Sequence, residues 1–132
     1  MDPSQINYLA VGVAALSSFL VGGLWYSPIL FANAWMREAG LGEDELRKAV
    51  GRTFATAFVI SLVMALNLAF FLGPEGNFGY GAMMGALTAV WVAGGLGITF
   101  AFERRSLMLT LIDGGYHVVA FTLMGGIIGA WH

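Results

Sequence analysis

The chain has no cysteine, little charge, and no basic residue outside two of its inter-span segments. Without cysteine there is no disulfide framework, no thiolate nucleophile and no Cys-type metal site. Charged residues make up only 11% of the sequence and hydrophobic ones 58%, whereas about a quarter of a soluble domain is charged. A soluble globule of this composition would precipitate. The six basic residues and the net charge of −2 form no concentrated basic surface, which argues against nucleic acid as a partner. One intramembrane His and one Asp fall short of the usual zinc ligand set, and His132 is expected at the opposite face, so no metal is assigned. No motif calls for a cofactor. No serine, histidine and acid trio converges at a common depth, so the chain is read as a non-enzyme.

What the chain does have is four long apolar stretches, at residues 6–27, 53–72, 80–102 and 107–131. A span needs roughly 20 residues to cross about 30 Å of hydrocarbon, so four of them use most of the 132 residues. The expectation is one all-α domain over residues 1–132, an integral membrane bundle of four transmembrane helices. Residues 1–5 lack the positive stretch of a cleavable signal peptide, so the first span reads as permanent. Pro28 stops that span, because proline supplies no N–H and disfavours helix in the residue before it. Segment 29–37, with Phe31, Trp35 and Met36 beside Arg37 and Glu38, is too short to cross and predicts a short interfacial helix. Gly40 and Gly42 end it. Glu43, Asp44 and Glu45 then precede Arg47 and Lys48 at helical spacing, in a turn expected to run directly into the second span.

Arg37, Arg47, Lys48 and Arg52 fall in segment 28–52, and Arg104 and Arg105 in segment 103–106. Short basic loops stay cytoplasmic, which places both termini and segment 73–79 outside. Tyr8, Phe78, Tyr80 and Trp131 then mark the outer boundary, and Trp25, Tyr26, Trp35 and Phe102 the inner one. Such one-sided loop charge predicts a single orientation and hence a parallel, rotationally symmetric homo-oligomer in the bilayer.

Small residues recur at every fourth position: Gly81, Gly85, Ala89, Ala93, Gly97 and Ala101 in the third span; Ala10, Ala14, Ser18 and Gly22 in the first; Ala57, Ser61, Ala65 and Ala69 in the second; Gly125 and Gly129 in the fourth. Such stripes let helix backbones approach closely. Bundle packing accounts for nearly all of them, and an oligomer is expected to use them for its close contacts.

The fourth span also carries a polar stripe. Ser106, Thr110, Asp113, Tyr116 and His117 share an arc of roughly 120° on a helical wheel. Counting from Leu107, Asp113 and His117 lie about 9 and 15 Å into the membrane. An Asp there costs up to about 3 kcal/mol on insertion, and each Leu, Ile, Val or Phe returns roughly 0.3 to 0.6. Two readings follow: a proton or ion site, or a polar seam between helices. His117 is the nearest partner for Asp113, and Arg52 or Tyr26 could also reach it. Asn67, about 9 Å inside the outer end of the second span, reads as interhelical glue, and Trp91 as packing.

Gly22, Gly23, Trp25, Tyr26, Ser27 and Pro28, followed by Phe31, Trp35 and Met36, resemble the family of small bacterial proteins catalogued as domain of unknown function 1761. The likeness extends through Asn7 and Tyr8 to Asp113, Gly114, Gly115, Tyr116 and His117, with Trp25-Tyr26-Ser27-Pro28 its most specific motif. The resemblance implies a four-span protein of the bacterial cytoplasmic membrane and transfers no activity. From the residues, Trp25 and Tyr26 read as an interfacial anchor at a proline break. Two functions follow as expectations: a homo-oligomeric transporter or channel unit that moves ions, protons or a small solute along the span-four stripe, or a non-transporting structural or accessory protein that binds a membrane partner or lipid.

Overall fold

Each apolar stretch folds into one helix, and three of the four begin where a polar side chain satisfies a free N–H of the first turn. The computed structural model describes residues 2–131, so the expectation for His132 lies outside the described residues. Helix α1 spans Tyr8–Trp25, with Asn7 Oδ1 accepting from the Ala10 N–H at 3.1 Å. Before it, Asp2 caps a short 3-10 turn over Pro3–Gln5. The Ser4 N–H bonded to Asp2 holds that carboxyl below the usual carboxylate range.

The connecting segment holds two short helices, α2 (Ala32–Ala39) and α3 (Glu43–Arg47). Gly40 ends α2 in the left-handed conformation at φ 72°. Arg47 and Glu43 form an exposed pair at 3.6 Å, which contributes little to stability. This acidic turn does not run into the second span as expected: Lys48 is extended and Ala49 is left-handed at φ 54°, which breaks the i to i+4 ladder between them.

Helix α4 spans Val50–Leu72, one turn longer at its start than the hydropathy pattern indicated. The Thr53 and Thr56 hydroxyls donate to the carbonyls of Ala49 and Arg52, so these polar side chains are satisfied within the helix. Helix α5 spans Phe78–Phe102 behind the Asn77 cap, and α6 spans Leu107–Ala130 behind Ser106. Ser106 therefore caps α6 instead of extending its polar stripe. Replacing it with alanine is expected to lower stability by about 1 kcal/mol; an unchanged denaturation midpoint in detergent would overturn the capping role.

Helix α6 is the hub: α5 packs along it, α1 lies against it and against α4, and α4 touches it more lightly. The helices α1 and α5 run antiparallel to α6, and α4 runs parallel to it, with Ala69 and Gly73 at the end of α4 beside Ile128 and Trp131 at the end of α6. Phe19, late in α1, meets Phe54 and Phe58, early in α4, edge to face at 5.7 and 5.9 Å. Asn7 Nδ2 donates to the Trp131 carbonyl at 3.4 Å. The two basic loops consequently lie at one end of the bundle.

The small-residue stripes make these contacts possible. A Cβ added to Gly81 would overlap the Gly125 carbonyl, and one on Gly85 would overlap the Phe121 carbonyl, so α5 and α6 meet backbone to backbone. Ala14 and Ala15 of α1, Ala65 of α4 and Ala89 of α5 are fully buried in the same core as Leu68, Phe121 and Met124. The central parts of the stripes are thus packed inside one chain, while Ala57 and Ala101 at their ends stay exposed. Large apolar side chains instead cover the outside, among them Val59 and Val63 on α4 and Leu87, Val90 and Ile98 on α5. Trp91, 69% exposed, belongs to this outer surface and touches only the edge of Phe71 among the aromatic rings. Water would not tolerate so large an apolar surface, and lipid does. With four helices long and apolar enough to cross a bilayer, the chain is an integral membrane four-helix bundle.

Candidate functional site

The end of α1 is shaped so that two aromatic side chains turn onto α6. Tyr26 closes the last turn through its N–H to the Gly22 carbonyl. The Ser27 hydroxyl donates to Leu24 at 2.6 Å, and the Ala32 N–H reaches back to the Ser27 carbonyl. Pro28, which lacks a donor, follows without leaving an unmet N–H. The chain therefore folds back on itself directly after Trp25 and Tyr26, and both rings are held from behind: Phe31 lies 4.8 Å from Trp25 and Trp35 lies 4.9 Å from Tyr26, centroid to centroid.

Held in this way, Trp25 Nε1 donates to the Ile112 carbonyl at 2.9 Å, and the Tyr26 hydroxyl donates to Asp113 Oδ1 at 2.7 Å. In the opposite direction, the Tyr116 hydroxyl donates to the Ser18 carbonyl at 3.0 Å. Two glycines make room. A Cβ on Gly115 would come within 3.0 Å of the Trp25 indole, and one on Gly22 within 3.3 Å of the Tyr116 ring. Each aromatic lies over a glycine of the other helix, and the pair forms a reciprocal clasp. Trp25 and Tyr26, read from the sequence as an interfacial anchor at a proline break, are thus also half-buried interhelical contacts.

Asp113 is met by Tyr26, and neither His117 nor Arg52 is its hydrogen-bonded partner. Arg52 is exposed on the first turn of α4. It points outward because the inward arc of that helix is set by Ser61, Ala65, Leu68 and Leu72, on the other side. His117 sits one turn deeper than Asp113 and is rotated toward α4. Its ring packs 4.9 Å from Tyr116 and 6.4 Å from Phe121. It makes no hydrogen bond among the described residues. Thr110 also leaves the group: it turns toward α5, where a Cβ on Gly97 would lie 3.4 Å from its methyl. The five-residue stripe is therefore three things in space, namely a cap (Ser106), a contact of the α5 seam (Thr110) and an Asp113, Tyr116 and His117 group facing α1 and α4.

His117 borders a cavity of about 20 Å³, shared with Ser18, Ser61, Met64, Tyr116, Ala120, Phe121 and Met124. That is room for about one water molecule. Ser61 entered the sequence reading only as a small packing residue, and Ser18 likewise. Their four-residue periodicity placed both on inward faces, but nothing in it tied them to His117. An organic ligand needs on the order of 300 Å³ or more, so this cavity suits a proton, a water molecule or a small ion at most.

Fold and site together define a four-span membrane protein with an intramembrane acid, phenol and imidazole group at the end that carries the basic loops. The chain belongs to the family described as "Protein of unknown function (DUF1761)", whose model matches residues 9–129. No curated protein and no solved structure matches it. The match runs through both halves of the clasp, from Gly22, Trp25 and Tyr26 to Asp113, Gly115 and Tyr116.

Proposed function

We propose that this protein is a non-enzymatic, homo-oligomeric unit of a transporter or channel for protons or small cations, acting through Asp113, Tyr116 and His117. The observation that carries this reading is the His117 imidazole, which makes no hydrogen bond among the described residues and faces a one-water cavity lined by Ser18 and Ser61, one helical turn beyond the Asp113 carboxyl. Ionisable groups inside a span are costly, and where they persist they commonly belong to proton or ion pathways. The cavity size supports a proton, water or small cation as cargo over any larger solute. The basic loops support a bacterial cytoplasmic membrane orientation in which the site opens inward and both termini face out. The group ends near mid-membrane, so a complete path requires a second subunit or a rearrangement of the bundle.

The test is a flux assay on proteoliposomes loaded with a pH-sensitive dye. Asp113→Asn and His117→Ala are each expected to lower pH-driven flux at least tenfold while the helical signal and melting temperature of His117→Ala stay near wild type. Wild-type vesicles with no flux above protein-free ones would overturn the reading.

A second reading has its own observation. The Trp25 and Tyr26 bonds to Ile112 and Asp113 tie α1 to α6, which is the work of a structural contact and needs no transport. A non-transporting accessory protein, presenting α2 and its neighbours to a membrane partner or to lipid, accounts for that clasp. It predicts large stability losses in clasp variants with no wild-type flux.

A further inference from the structure

The outward face of α4 carries a polar side chain that the chain itself leaves unsatisfied. Asn67 is exposed, six residues before Gly73 and so about 9 Å inside that end of the span. Its carboxamide makes no hydrogen bond to the described residues, so it is not the glue within the bundle that its position first indicated. In hydrocarbon such a group needs partners, and the short Asn side chain does not reach headgroup water from that depth.

Its surroundings are periodic. Thr53, Thr56, Ile60, Val63, Asn67 and Phe70 are all exposed and are spaced 3, 4, 3, 4 and 3 residues apart. That is the a/d repeat of helices that pair with a slight left-handed crossing, with Thr53, Ile60 and Asn67 in equivalent positions. The stripe lies opposite the Ser61, Ala65, Leu68 and Leu72 arc that packs inward, so it is free to meet another helix without disturbing the bundle.

We infer that α4 is the self-association face of this protein: a second copy, inserted in the same direction, packs its own 53–70 stripe against this one, and the two Asn67 carboxamides hydrogen-bond to each other. A carboxamide both donates and accepts, so it is complementary to itself. A two-fold axis along the membrane normal brings equal residues to equal depth, which supplies that complement where lipid chains offer none. The buried centres of the small-residue stripes do not serve instead, because they are packed within the chain. This inference rests on the oligomer part of the reading above and not on the ion site.

The absence of cysteine makes the test direct. Single Val63→Cys and Val90→Cys variants of the full chain, both at highly exposed sites of 62% and 61%, are oxidised in lipid vesicles without any ion gradient. Val63→Cys is expected to form disulfide dimers, and Val90→Cys, on the outer face of α5, to remain mostly monomeric. Adding Asn67→Leu to Val63→Cys should weaken association roughly fivefold to tenfold, with helical content and melting of the chain unchanged. Equal cross-linking at 63 and 90, or a dimer unaffected or strengthened by Asn67→Leu, overturns the interface. Loss of proton flux in the Asp113 variant has no bearing on this result, so the two proposals fail separately.

Discussion

Gly85→Ala is expected to destabilise the bundle by about 3 kcal/mol or more, because the added methyl falls on the Phe121 carbonyl and neither backbone can yield without separating α5 from α6. Domains of this size have only about 5 to 15 kcal/mol in hand, so the variant should unfold at markedly lower denaturant. Gly94→Ala on the outer side of the same helix is the control. Nothing lies within 4 Å of a Cβ there, and removing a helical glycine should leave stability unchanged or raise it by up to about 1 kcal/mol. The two variants are compared by denaturant titration of helical circular dichroism in detergent. Equal midpoints would mean that α5 and α6 do not meet through these glycines.

Tyr26→Phe is expected to cost about 2 kcal/mol, and the loss should be shared with Asp113. Removing the hydroxyl leaves the Asp113 carboxyl partly buried with no donor, which is more costly than losing both groups. In a double-mutant cycle with Asp113→Leu, the Tyr26→Phe change should therefore cost little, giving a coupling of at least about 1 kcal/mol. Coupling near zero would dissolve the clasp as an energetic unit, even with the geometry intact. The same cycle bears on function. If the clasp only holds helices, flux never enters; if Asp113 exchanges protons, Tyr26→Phe should alter the pH profile of flux in addition to stability.

Much of the fold was legible because its signals are local. Four apolar stretches, Pro28 after the first and the glycines at 40 and 42 each act within a turn or two of their own position. The shifted boundary shares that logic: the apolar pattern starts the second span at Thr53, yet the helix begins at Val50, and the Thr53 hydroxyl is absorbed by the carbonyl one turn back. The break at Ala49 had no local mark, since alanine rarely takes the left-handed conformation.

The candidate site was legible in its members but not in its connections. Asp113, Tyr116 and His117 stood out as polar groups inside a span, and Trp25 and Tyr26 as part of a motif. That Tyr26 and Asp113 form one hydrogen bond across 87 residues of sequence depends on how α1 and α6 are rotated against each other. Gly22 and Gly115 were visible as small residues. Their pairing with the ring of the opposite helix was not.

The sequence by itself determined that this is a four-span bundle with its basic loops at one end, because hydropathy, span length and loop charge are properties of contiguous residues. Only the tertiary structure decided which polar group faces which: Asp113 to Tyr26, His117 to a small cavity beside Ser61, Thr110 to α5 and Asn67 to the outside. Helix rotation is set by the joint fit of small residues on two helices at once, and no single helix contains that information.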